Sequence, residues 1–509
     1  MKAVTGSQMR IIEQMAVEET GIPSILLMEN AALRLAEHCL KYIENIKNPK
    51  VLIFAGHGNN GGDGFALARH LHLKGIETKI IFTDDLTAVN YKKNDAVINL
   101  KIAKNLEIPI EQNIDFEIAN YDLVVDALLG TGLDRNVEGK YKDLIEKINR
   151  YAKYVISADI PSGVHSDTGK IMGCAVKAAE TVTFAHPKPG LYIYPGAECA
   201  GKIHIEDIAI PSTLINKIEI EGNILTTSEA NAMLPVRAQR SNKGSFGRIL
   251  VFAGSNEMPG AASLTCSAAY KVGGGLVCAC VLPQVASVIH HWQREVVTRT
   301  LPEKNGMYYK KSLESAMEEI ARADVIVIGP GIGRSPDVTE FVQELVKTSQ
   351  APIVADADAL FALSEDVNIF KQLKAPCIIT PHHGEMSRLT GLSVPEILDN
   401  TAETAVNFAK EFKVVTLLKD AHTIIANPNG NYYINTTGTN ALSKAGTGDV
   451  LTGIIAGFIA QGLDVFSAGV LGAYFHGKAG EDAVGNGSCY SVMAGDLLDW
   501  NNETRREQK

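Results

Sequence analysis

Short apolar runs alternate with amphipathic stretches along most of this chain. In its first part the pattern predicts strands at 51–55, 79–82, 123–126, 155–159 and 181–184, with helical spacing at 65–74 and 141–150 between them. A short continuous apolar run suits a strand buried on both faces, and a 3.6-residue period suits a helix that covers it. The alternation therefore predicts a largely parallel sheet with helices on both sides. Two helices are expected before it, at 7–19 and 24–39, parted by the turn Thr20-Gly21-Ile22-Pro23.

A second series comes later in the chain, with strands at 249–253, 276–281, 325–328, 353–356, 377–380 and 414–418. Its long helical patterns lie at 261–272, 338–347, 395–412 and 449–460. Residues 211–223 fit neither series and mark a boundary. The expectation is an α/β protein of two three-layer α/β/α domains, one over 1–215 and one over 225–505.

Composition narrows the function classes. The 509 residues are 46% hydrophobic and 21% charged, with a formal net charge of −10 and no long basic run, which argues against an extended nucleic acid as partner. The apolar stretches at 276–282 and 451–460 fall far short of the roughly 20 residues that span a bilayer. The opening MKAVTGSQMRIIEQ lacks the apolar core of a signal peptide. Eight cysteines are scattered without a CxxC pair, which predicts reduced thiols in a cytoplasmic protein.

Candidate chemistry gathers at predicted strand ends and helix starts. In Ala445-Gly446-Thr447-Gly448-Asp449 the glycines allow a tight curl of N–H groups, and the helix behind adds its positive end, so a phosphate suits the turn. Asp449 is placed to take a proton from a hydroxyl that attacks this phosphate. Gly329-Pro330-Gly331-Ile332-Gly333, Thr380-Pro381-His382-His383-Gly384-Glu385 and Lys419-Asp420-Ala421-His422-Thr423 each come directly after a strand, where open α/β sheets bind ligands.

Those segments resemble the ribokinase-like superfamily, and within it the ADP- or ATP-dependent NAD(P)H-hydrate dehydratases. The likeness runs from Lys243-Gly244-Ser245-Phe246-Gly247-Arg248 through Ala253-Gly254-Ser255 and Met258-Pro259-Gly260-Ala261-Ala262 to Gly446-Thr447-Gly448-Asp449-Val450-Leu451. It implies that the nucleotide phosphorylates the C6 hydroxyl of a hydrated nicotinamide ring and that phosphate then leaves. By resemblance, Asp449 is the base, and Gly448, Lys419, Asp420, Ala421, His422 and Thr423 bind the nucleotide. Ala262, Gly333 and His382 line the hydrate pocket on the same ground. Two positions depart from the pattern: His383 stands where the family usually has proline, and Asp420 where it usually has glycine.

In the first domain Gly56-His57-Gly58-Asn59-Asn60-Gly61-Gly62-Asp63-Gly64 reads as a glycine-rich loop that opens a helix, and its amide and carboxylate oxygens suit a hard cation. Asp126 and Asp159, the latter followed by Ile160-Pro161-Ser162-Gly163, add carboxylates at the next strand ends. This set, with Gln8-Met9-Arg10 and Leu27-Met28-Glu29-Asn30, resembles the NAD(P)H-hydrate epimerases and implies a Rossmann-like domain; Glu13 replaces a usual aspartate. By resemblance Asn60, Asp126 and Ser162 hold K+. Asn59, Asn60, Gly61, Gly62, Asp63, Gly130, Thr131, Gly132, Leu133, Asp134, Arg135, Asn136 and Asp159 bind the dinucleotide, with Asp159 the acid/base group.

The combined expectation is a bifunctional repair enzyme that epimerises the R and S hydrates of NADH and NADPH (NADHX and NADPHX) and dehydrates the S form. ADP is the expected co-substrate, with ATP as its alternative, Mg2+ accompanies the nucleotide, and a homo-oligomer is expected. A vitamin-precursor kinase fused to a dinucleotide-binding module stands as a rival, because an anion hole with a base serves phosphoryl transfer to any alcohol; against a second rival, a non-catalytic nucleotide sensor, stand Asp449 and Asp159, proton acceptors that binding alone does not need.

Overall fold

The computed structural model describes residues 1–82, 94–112, 117–485 and 487–499. The chain forms two compact units, one over Lys2–Gly222 and one from Asn223 onward, with Met1 grouped with the second. Residue 505, the expected end of the second domain, lies outside the described residues.

In the first unit the strands are β1 (Lys50–Ala55), β2 (Glu77–Phe82), β3 (Ile110–Glu111), β4 (Leu123–Ala127), β5 (Val155–Ala158), β6 (Glu180–Phe184) and β7 (Lys202–Glu206). Among the described residues they form one sheet in the order β3-β2-β1-β4-β5-β6-β7, with every neighbouring pair parallel. Side chains of a strand alternate between faces, and both faces here are buried. Ile53 and Val125 pack with Leu27, Ala31 and Leu35 of the helix Ser24–Ile43. Leu52, Phe54 and Val124 pack with Leu144, Ile145 and Ile148 of the helix Gly139–Tyr151.

The glycine-rich segment differs from its expected loop form. Its helix starts at Asn59 and runs to Leu73, six residues ahead of the expected start at 65. A Cβ on Gly61 would lie 1.8 Å from the Gly56 carbonyl oxygen, so glycine here lets the helix start sit directly on the end of β1. The edge strands β3 and β7 were not anticipated, because Ile110–Glu111 is very short and Lys202–Glu206 mixes charged with apolar residues.

The second unit contains β8 (Gly222–Ile224), β9 (Arg248–Phe252), β10 (Leu276–Val281), β11 (Val297–Thr300), β12 (Val325–Ile328), β13 (Ile353–Ala355), β14 (Cys377–Ile379), β15 (Val415–Leu418), β16 (Thr423–Ala426) and β17 (Tyr432–Asn435). Their order is β11-β10-β9-β12-β13-β14-β15-β16-β17-β8 among the described residues. The sheet is parallel from β11 to β15, then antiparallel through β16 and β17. The unanticipated β16–β17 hairpin closes through Asn427-Pro428-Asn429-Gly430-Asn431, where the Gly430 N–H donates to the Asn427 carbonyl at 2.9 Å. Strand β8 takes up the end of the segment that fitted neither series.

The pattern at 395–412 is two helices, Val394–Asp399 and Thr401–Phe412, separated at Asn400 (φ −143°, ψ 47°). The helix Val465–Gly485 was missed because it is buried along most of its length and shows little amphipathic period. No described helix is long and apolar enough to cross a membrane.

The helix Thr447–Ala460 packs closely on the helix Pro259–Lys271: a Cβ at Gly453 would come within 2.2 Å of the Thr265 carbonyl oxygen. Gly453→Ala should therefore destabilise the protein by about 1–3 kcal/mol through overpacking, read in calorimetry as a lower melting temperature. An unchanged melting temperature would show that the two helices part without cost.

Candidate active sites

The strand order of the first sheet reverses between β1 and β4, and at such a switch point the loops beyond the strand ends diverge and leave a crevice. A cleft of about 600 Å³ lies there. Asn59, Asn60, Asp63, Gly130, Thr131, Gly132, Leu133, Asp134, Arg135 and Asp159 line it. Gly61 and Gly62 are buried within the helix Asn59–Leu73 and do not line the cleft, and Asn136 is exposed outside it. The helix Gly6–Thr20, started by a Thr5–Gln8 capping box, brings Arg10 and Glu13 to the same wall.

Lys188, only 1% exposed, organises the cleft floor. Its ammonium donates to Asp159 Oδ1, to Thr183 Oγ1 at 3.0 Å and to the Phe184 carbonyl at 2.9 Å. Asp159 has a left-handed backbone (φ 62°), and its Oδ1 also accepts from Thr183 Oγ1 at 3.1 Å and the Phe184 N–H at 3.2 Å. Burial, then the charge of Asp159, pushes the carboxyls of both Asp63 and Glu13 upward; Lys188 offsets part of this. The cleft thus sets the lysine-paired Asp159 beside two carboxyls that burial biases toward their protonated forms. Lys188 was not anticipated as a site residue. Its signal was its place in His186-Pro187-Lys188-Pro189-Gly190, directly after β6.

Behind the cleft, buried Asp126 accepts from Ser162 Oγ at 2.5 Å, the Ser162 N–H at 2.8 Å and Ser157 Oγ at 2.8 Å. Burial pushes its carboxyl up while these bonds pull it back. Asn60 donates through Nδ2 to the Leu129 carbonyl at 2.9 Å, but its Oδ1 is buried with no hydrogen-bond partner among the described residues. An orphaned amide oxygen beside a carboxylate, a hydroxyl and a carbonyl is a donor set that fits a hard cation.

In the second unit Gly446 takes a left-handed conformation (φ 91°) that starts the helix Thr447–Ala460, with Asp449 in the first turn. Burial is the main cause that pushes the Asp449 carboxyl up to about 7; the charge of Asp356 adds to it and Lys419 opposes it. Asp356, at the end of β13, accepts from Lys419 Nζ at 2.9 Å and Thr452 Oγ1 at 2.9 Å. Glu385 Oε2 lies 4.0 Å from the same ammonium. A Cβ on Gly448 would stand 3.6 Å from both Asp356 Oδ2 and Lys419 Nζ, so this position opens onto the charged pair.

His382 caps the helix His383–Thr390, accepting through Nδ1 from the Gly384 and Glu385 N–H groups at 2.9 and 3.3 Å. Burial and the nearby Lys419 lower its pKa. The Gly333 N–H donates to Asp358 Oδ2 at 3.0 Å, and Arg334 Nε to Asp358 Oδ1 at 2.7 Å. Ala262 is fully buried on the helix Pro259–Lys271. Asp420, Ala421 and His422 form the tight turn from β15 into β16, which begins at Thr423; the Ala421 N–H donates to Asp420 Oδ1 at 2.7 Å. His476, pushed down to about 4 by burial and hence neutral, donates through Nε2 to the Thr447 carbonyl at 2.9 Å and steadies the first helical turn. Asp356, Asp358 and His476 were not anticipated as members of this site, whereas Glu385 stood in the candidate segment after β14.

The profile of a family described as NAD(P)H-hydrate dehydratase matches residues 249–501, and that of the YjeF-related protein N-terminus matches 24–190. A bifunctional NAD(P)H-hydrate repair enzyme of Moorella thermoacetica is 40% identical, over 98% of this chain and 96% of its own length. A relative of the same description from Thermofilum pendens is 36% identical, over 95% and 92%. Among solved structures, the ADP/ATP-dependent NAD(P)H-hydrate dehydratase of Bacillus subtilis, co-crystallised with ATP and Mg2+, is 31% identical, spanning 56% of this chain and 98% of that one, with a TM-score of 0.49. Aligned nearly end to end with relatives that carry both parts, the chain belongs to the bifunctional NAD(P)H-hydrate repair enzymes.

Proposed function

We propose that residues 1–215 interconvert the R and S hydrates of NADH and NADPH, and that residues 225–505 dehydrate the S form with ADP, Asp159 and Asp449 being the respective proton-transfer groups. The observation that carries this reading is Asp449 itself: a carboxyl pushed up to about 7 at a helix N-terminus, beside a lysine–aspartate pair. A base with that affinity takes a hydroxyl proton near neutral pH. The helix end and Lys419 suit the charge that develops on a transferring phosphoryl group.

In the dehydratase step Asp449 takes the proton of the C6 hydroxyl, whose oxygen accepts the terminal phosphoryl of the nucleotide as the bond to AMP breaks. The C6–O bond then breaks with phosphate leaving, and loss of a C5 proton restores the C5=C6 double bond. Gly448, Lys419, Asp420, Ala421, His422 and Thr423 form the nucleotide side, and Ala262, Gly333 and His382 the hydrate side. Mg2+ arrives with the nucleotide phosphates.

In the epimerase cleft Asp159, fixed by Lys188, handles the proton at C6, and the loop from Gly130 to Arg135 with Asn59, Asn60 and Asp63 receives the dinucleotide. K+ suits Asn60, Asp126 and Ser162, where it supplies a fixed positive charge. The presence of both parts in the relatives favours this pairing over a vitamin-precursor kinase.

The two departures from the family pattern face each other: His383 Nε2 lies 3.7 Å from Asp420 Oδ2, both side chains largely buried. They bring the start of the helix His383–Thr390 against the Lys419 turn at the positions where the family usually has proline and glycine.

With an R/S mixture of NADH hydrate, ADP and Mg2+, the protein should restore nicotinamide absorbance. Asp449→Asn should slow that recovery by about 10²–10⁴-fold while chromatography shows epimer exchange intact, and Asp159→Asn should slow exchange and strand the R form. Loss of both activities in either variant would refute separate centres.

Because the folded Asp449 carboxyl binds its proton more tightly than its ordinary value of 3.8, its ionisation costs stability as pH rises from about 4 to 7. Asp449→Asn should therefore raise the melting temperature at pH 8, with the gain vanishing near pH 4. An equal shift at both values would assign the effect to packing. For the second pair, His383→Ala and Asp420→Ala should be less than additive in unfolding, with a coupling of roughly 0.5–1 kcal/mol; full additivity would show that the contact contributes nothing.

A further inference from the structure

Away from the cleft, the helix Ser24–Ile43 brings His38 over Glu180 at the start of β6 and His204 in β7; none of the three lines the cleft. One ring nitrogen from each histidine and one oxygen of Glu180 lie within 4.8 Å of one another. His204 Nε2 is 2.7 Å, and His38 Nδ1 3.9 Å, from the same Glu180 Oε2.

The outward-facing atoms of this group are already held. His38 Nε2 donates to Glu206 Oε1 at 2.9 Å, which leaves the Nδ1 lone pair on the side of Glu180. The Tyr154 hydroxyl donates to Glu180 Oε1 at 2.6 Å and orients that carboxylate with Oε2 toward the imidazoles. Tyr154 in turn stacks on Tyr42, ring centroids 3.9 Å apart. His204 Nε2 is buried and, despite its nearness to Glu180, makes no hydrogen bond of acceptable geometry among the described residues.

We propose that His38, His204 and Glu180 form a binding site for a divalent transition cation of the Zn2+ class, clasping the helix Ser24–Ile43 to the edge strand β7. Two imidazoles with one carboxylate select Zn2+, Co2+ or Ni2+ over Mg2+ and Ca2+, which require oxygen. A histidine ligand whose other nitrogen donates to a carboxylate is the usual outer arrangement of such sites, and Glu206 supplies it. Burial, then the proximity of His38, lowers the pKa of His204 and favours the neutral ring that a metal needs. Burial pushes the Glu180 carboxyl up, and the hydrogen bond from Tyr154 pulls it back down. Metal–ligand bonds of about 2.0–2.2 Å require the 2.7 Å contact to open by roughly half an ångström, which a χ rotation of Glu180 provides. The fourth position is left to water.

The test uses the full-length, untagged, chelator-treated protein in K+ buffer, titrated with Zn2+ in a calorimeter and with Co2+ in a spectrophotometer. Expected are one equivalent bound, visible Co2+ d–d absorption of a low-coordinate site, and a melting temperature raised by Zn2+ but not by Mg2+. His204→Gln and His38→Gln should each weaken binding by more than about tenfold and abolish the thermal shift, and Glu206→Gln should weaken it by about tenfold. Circular dichroism checks folding; should a histidine variant not fold, Glu206→Gln and Tyr154→Phe keep the question open to measurement through their Zn2+ affinity. Absence of saturable binding, affinity unchanged in the variants, or a thiolate-to-Co2+ charge-transfer band would overturn the proposal and leave an ion-free histidine–carboxylate network.

Discussion

Carboxylates cluster in both units of this protein, and carboxylates cannot be taken out of water together unless something offsets their charge. In each unit a lysine does so. Lys188 is almost wholly enclosed and shared among Asp159, Thr183 and Phe184; Lys419 is shared between Asp356 and Glu385. Burial drives Asp63 and Glu13 in one unit, and Glu385 and Asp449 in the other, toward protonation, and in each case the lysine opposes that drive. Each buried cation thereby limits how far burial carries its acidic neighbours toward protonation.

The sheets deliver these groups. Parallel strands end together at one edge, so residues distant in the chain arrive side by side: Asp126 with Ser162, and Asp356 with Lys419. The helix Thr447–Ala460 then adds Asp449 from above, its approach allowed by glycines that replace side chains with direct backbone contact on the helix Pro259–Lys271.

This also explains which parts were legible beforehand. The strand and helix cores carried their own periodicity, and the carboxylates of the glycine-bearing turns stood in contiguous motifs, so Asp126, Asp159 and Asp449 stood out. Lys188 and Asp356 did not, because their meaning comes from partners 29 and 63 residues away in sequence. The glycines around Gly61 read as loop because glycine usually marks flexible backbone; here they serve close packing inside a helix. The β16–β17 hairpin, with its Asn-Pro-Asn-Gly turn, went unread because a parallel α/β rhythm leads one to expect a helix after each strand.

The reversal of direction at Lys419 has its own bearing on how this site varies. Most strand-end loops here lead into helices, whose ends shift to absorb an added or lost residue. The turn from β15 into β16 joins two strands already locked in register, Leu418 opposite Ile424. One extra residue there would either bulge the turn or slip β16, sending each of its side chains to the opposite face. The pairing on either side thus fixes the length of this corner and leaves only its side chains to vary.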